Sequence, residues 1–227
     1  MKYVAVLAVF LSACSLSNYG TARHSDDSSK ANTGLPMDPS ITKQNDPVRA
    51  IDFRNFTYDW FPPNYDPPPD GRKIVLKNGS MDLGYREGKE PWKFFLRDLK
   101  YGDLTDDNRE EAVIVLQMMT SGTARPSLVF VYSLLGNEPK RLWVYQTGDR
   151  WDYGYHDATV KDEQLLIETY KPSFVEYQGQ KHDMSASEAY LRDYYKWDGN
   201  TLLKVNTEEI PVDPNDKNQW VVHNSKP

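Results

Sequence analysis

The chain has a single cysteine, Cys14, among its 227 residues. One thiol cannot form an internal disulfide or a thiolate metal cluster, so the folded part relies on its hydrophobic core. His156, His182 and His223 have no metal-ligand spacing to one another, and no H-E-x-x-H occurs, which speaks against a zinc site. Walker and dinucleotide-binding glycine patterns are missing too, and Ser121 stands in TSGTA rather than in the G-x-S-x-G elbow of esterases. Lys and Arg are scattered among acids, with a formal charge of −6, and form none of the basic stripes that phosphate backbones require. Apolar residues nowhere keep a spacing of three and four for long, so little helix is expected.

The amino terminus carries the clearest signal. Lys2 precedes an apolar run, Tyr3 to Ala13, that is shorter than the roughly 20 residues a helix needs to cross a bilayer. Residues 1–13 therefore read as a signal peptide. Leu11-Ser12-Ala13-Cys14 resembles the bacterial lipobox. That resemblance implies cleavage before Cys14, thioether lipidation of Cys14 and acylation of its amino group, with the membrane as a partner through the acyl chains. By resemblance to enterobacterial lipoproteins, Ser15 in place of Asp implies the outer membrane, facing the periplasm or the surface. Residues 14–45 hold hardly a large apolar side chain and read as a tether, with a reach of roughly 30 Å for about 30 flexible residues.

From Val48 the pattern changes. VRAIDFRNFTYDW alternates apolar and polar residues as a strand does, until the proline-rich Phe61 to Gly71 ends it. Arg72 to Lys77 is a predicted strand ending at Asn78-Gly79, the strongest hairpin dipeptide in the chain. Further strands are expected over Trp92 to Tyr101, Ala112 to Met119, Leu128 to Leu134, Leu142 to Gln146, Gln164 to Tyr170, Ala189 to Trp197 and Thr201 to Val205, with one short helix at Ser185 to Leu191. Ala112 to Met119 is apolar on both faces apart from Gln117, the mark of a central strand covered on both sides. Short strands at this spacing predict an all-β fold, an antiparallel meander or sandwich-like single domain over residues 46–206, followed by a polar tail over 207–227.

Between two of these strands runs YGDLTDDNREE. Asp103, Thr105, Asp107 and Glu111 occupy positions 1, 3, 5 and 9, with the carbonyl of Arg109 at position 7. Oxygens at that spacing can surround a hard cation. The stretch resembles the short calcium loop of integrin-type propeller repeats, and the resemblance implies Ca²⁺ as a stabilising ion. Asp106 and Asn108 stand where such loops carry glycine, and the twelfth position is Ile114, so an EF-hand is excluded.

TGDRWDYGYHDA, Thr147 to Ala158, is the other unusual stretch. Asp149 and Asp152 could serve a hydrolase as acid and base, with His156 as proton shuttle. An ordinary loop turned by Gly148 and Gly154 is the competing reading. Together with Tyr58, Trp60, Trp92 and Trp143, its aromatic residues could also build a platform for a glycan or peptide.

IDFRNFTY, KYGDLTDDNREEAVIVL and VYQTGDR resemble an uncharacterised group of bacterial secreted proteins, which implies a β-rich envelope domain without an assigned reaction. The expected function is that of a lipid-anchored envelope protein with a binding or structural role, its partner an envelope protein or glycan. The alternative is an envelope hydrolase acting on cell-wall or surface glycan.

Overall fold

The computed structural model describes residues 46–64, 67–68, 71–84, 92–120, 122, 124–149, 152–172, 174–177, 180–183 and 189–212. Cys14, with the signal peptide and tether, lies outside them, as does most of the tail. All the described residues fall in one compact unit.

The first described segment departs from the expected strand. Asp46 accepts the Val48 amide at 3.0 Å and Pro47 opens a 3-10 turn over Pro47–Ala50. A capping carboxylate followed by proline, whose φ suits a first helical turn, outweighs the alternating pattern. Asp52 then closes a second turn, accepting from the Arg54 amide and the Asn55 side chain. Only Thr57–Tyr58 (β1) is extended, and it pairs with Ile74–Val75 (β2).

Asn78 and Gly79 form the expected tight turn, with φ of 53° and 81° and Lys77 paired to Ser80. It leads into Ser80–Asp82 (β3), Lys93–Gly102 (β4), Glu111–Met119 (β5), Ser127–Leu135 (β6) and Glu138–Gln146 (β7), which make one antiparallel sheet in that order. The next strands are Tyr155–Lys161 (β8), Gln164–Tyr170 (β9), a small hairpin of Phe174–Tyr177 (β10) and Gln180–Asp183 (β11), then Ala189–Trp197 (β12) and Leu202–Pro211 (β13). A second antiparallel sheet has the order β13-β12-β9-β8. The fold is therefore all-β, antiparallel and sandwich-like.

Three layers result. Alternate residues of a strand face opposite sides of its sheet. Ile114, Leu116 and Met118 of β5 pack with Phe94, Phe130 and Tyr132 against Phe53, Tyr58, Ile74 and Leu76 of the amino-terminal segment. Val113 and Val115 pack with Val129 and Val131 against Ala158, Leu165, Ile167, Tyr195 and Leu202 of the second sheet. This double cover is why β5 is apolar on both faces.

Tyr155 to Ala158, the end of the expected loop, instead open β8. Its period of two is broken by a bulge: Tyr155 pairs with Thr169 and Asp157 with Glu168, leaving His156 as the extra residue. The strand at the carboxyl end runs past Val205 to Pro211. Of the predicted helix, Ala189 to Leu191 are strand residues, and Ser185 to Glu188 lie outside the described residues.

Candidate functional site

The acidic turn between β4 and β5 is closed by its own hydrogen bonds. Asp103 accepts the amides of Asp106 and Asn108 at 2.8 and 2.9 Å, one on each oxygen, and Asp107 accepts the Arg109 amide at 2.9 Å. Asp106 and Asn108 take positive φ of 59° and 63°, where the loop family has glycine. Glu111 is buried; it accepts the Leu104 amide at 2.8 Å and the Thr105 hydroxyl at 3.3 Å. Burial pushes its pKa up, and the Leu104 amide and Ser133 hydroxyl only partly oppose that. Asp103, Asp107 and Glu111 do not gather as a metal-holding group, and among the described residues no three His, Cys, Asp or Glu do. Thr105 and Glu111 are joined to each other by that hydrogen bond. The neighbouring Glu110 anchors the turn to the amino-terminal segment: its amide donates to Asp46 at 2.9 Å and its carboxylate pairs with Arg49.

In the other stretch, Asp149 accepts the Arg125 amide and its carbonyl accepts the Asp152 amide at 2.7 Å, forming a small turn. Gly148 is required there, because a Cβ would lie 1.8 Å from the Asp152 carbonyl oxygen. Asp152 is exposed, whereas His156 lies in β8 with its ring 3.8 Å from that of Tyr190 and nearly parallel to it. The aromatic residues named for a platform are mostly core: Tyr58, Trp92 and Tyr155 are buried, Trp60 packs on the first cluster and Trp143 stacks on Tyr145 in the second. Tyr153 alone of those described is a large exposed ring.

A groove of about 350 Å³ lies elsewhere, on the side of the second sheet turned away from the core. Leu165 and Ile167 point inward, so their neighbours Leu166 and Glu168 on β9 face out into the groove. Thr159 on β8 and Arg192 and Tyr194 on β12 flank them. Arg192 grips one oxygen of Glu168 through Nε at 2.8 Å and Nη2 at 2.5 Å, and this contact raises the arginine pKa further. The other oxygen of Glu168 lies 3.7 Å from Nε2 of His156. Tyr194 donates to Glu208 at 2.6 Å. At one end stands the tight turn Asp162-Glu163, both residues at positive φ, 50° and 59°. Asp162 reaches the groove lining from there, and Asp157 lines its side.

None of Glu168, Arg192, Tyr194 and Asp162 was singled out from sequence. They come from two strands and a turn, and share no local motif. The one signal available was Lys-Asp-Glu-Gln between two strands, a hairpin turn without the glycine such turns favour. Compared with protein-family models, curated proteins and solved structures, the chain matches none.

Proposed function

We propose that the chain is a lipid-anchored protein of the bacterial cell envelope that works by binding, with the outer face of the second sheet as its recognition surface. The anchor is supported by Leu11-Ser12-Ala13-Cys14 after a short apolar run and before a long polar tether. The observation that carries the binding role is the groove beside the Glu168–Arg192 pair, the sheet face opposite the core being lined with charged and aromatic side chains. Concave sites with a few convergent polar groups are the usual form of ligand pockets, and their volumes start near about 300 Å³. Binding is preferred to hydrolysis because Asp149 is engaged with the Arg125 amide in a turn, and because the groove is lined by none of Asp149, Asp152 and His156.

Two measurements test the reading. Cells making the full chain are labelled with radioactive palmitate and fractionated. The wild type should carry label and sediment with membranes and the Cys14→Ala chain should not; an unlabelled wild type overturns the anchor. Purified Cys14→Ala chain is then mixed with washed envelope fragments. Saturable co-sedimentation supports a binding role, and none at micromolar protein overturns it.

A further inference from the structure

We infer that the groove of β8, β9 and β12 takes an uncharged saccharide, an assignment that rests on the binding role proposed above. The lining has the chemistry such a ligand needs. Asp157, Asp162, Gln164, Glu168 and Arg192 present planar groups with two or more acceptors or donors each, which suits the paired hydroxyls of a sugar ring. Tyr194 and Leu166 add an aromatic ring and an apolar side chain among them, a surface for the C–H face of the same ring.

Charge narrows the class. Three carboxylates, Asp157, Asp162 and Glu168, line the groove against two cations, Lys161 and Arg192. Arg192 is already committed to Glu168, and Asp157 lies 3.8 Å from Lys100. Asp162 and Lys161 remain, one charge of each sign, so the groove offers no net positive charge to hold an anionic ligand. A polyol needs no neutralisation and can share these paired groups as donors and acceptors.

The backbone supplies an independent reason to regard Asp162 as placed for a purpose. Two consecutive residues other than glycine at positive φ are costly, and such strain collects at functional sites. The turn that carries the cost puts Asp162 in the lining of the groove. Asparagine tolerates the same conformation, so Asp162→Asn changes the charge without changing the turn.

The test titrates the full chain, kept in a detergent without a sugar headgroup, with glucose, galactose, mannose, N-acetylglucosamine and their short oligomers. Saturation-transfer NMR detects binding. At least one should bind, Asp162→Asn should weaken it about tenfold or more, the effect of losing one charged hydrogen bond, and its melting temperature should not fall. Tyr194→Ala should weaken the same sugar. No saccharide bound at millimolar concentration overturns the inference, as does binding indifferent to both substitutions. If the envelope fragments still co-sediment while every sugar fails, the ligand class is wrong and the binding role stands. If both fail, the binding role itself is overturned.

Discussion

Glu111, buried at the start of β5, accepts the amide of Leu104 at 2.8 Å and so ties the acidic turn to the strand it feeds. Its pKa is raised by burial, so the folded protein holds the proton of Glu111 more tightly than the unfolded chain does. The contribution is therefore fully present below the ordinary glutamate value of about 4.3 and is lost as pH rises through the folded value. Urea unfolding at several pH values should show the wild type losing stability through that window, and Glu111→Gln should lack this component. Identical pH slopes for the two proteins would contradict the assignment.

Asp103 makes the neighbouring contacts, one oxygen to the Asp106 amide and the other to the Asn108 amide. Losing two charge-assisted bonds in an exposed turn should cost about 1–2 kcal/mol, near the range for a lost capping carboxylate. Asp103→Ala should melt lower by that amount, equally with and without millimolar calcium. A calcium-dependent rise in the wild-type melting temperature that disappears in Asp103→Ala would instead make the turn an ion site.

How much of this could be read beforehand depends on whether a residue's neighbours in space are also its neighbours in sequence. β5 was legible because cover on both faces leaves Val113, Ile114, Val115 and Leu116 as one apolar run. Asn78-Gly79 was legible because a tight turn needs residues tolerant of positive φ. β8 was not, since one bulged residue at His156 shifts the pattern that identifies a strand. The segment from Val48 misled because Asp46-Pro47 and Asp52 decide its backbone locally, while Phe53 and Tyr58 are buried from turns and a two-residue strand. The groove was invisible because Glu168 meets Arg192 only through the pairing of β9 with β12.

Gly102, the last residue of β4, lies against Val160 of β8 in the second sheet. A Cβ built there would lie 2.4 Å from Cγ1 and 2.8 Å from Cβ of Val160. Val160 is branched at Cβ and part of the second core cluster, so it has little room to turn away. Gly102→Ala should destabilise by about 1–3 kcal/mol, the usual penalty for overpacking. Adding Val160→Ala should restore part of the loss. A double mutant no more stable than Gly102→Ala would mean the two residues are not in contact.

Glu163 occupies the second central position of the β8–β9 turn at a φ of 59°, where glycine is the preferred residue. Its side chain is absent from the groove lining, unlike that of Asp162. Glu163→Gly removes the clash of Cβ with the backbone but enlarges the freedom of the unfolded chain, and the two effects oppose each other. Strain of about 1 kcal/mol or more at such a residue exceeds the few tenths to 1 kcal/mol lost to entropy. The variant should therefore melt at the wild-type temperature or slightly above, with saccharide binding retained. A clear drop in melting temperature would show that the turn is unstrained, and the argument that Asp162 is held there at a cost would lose its footing.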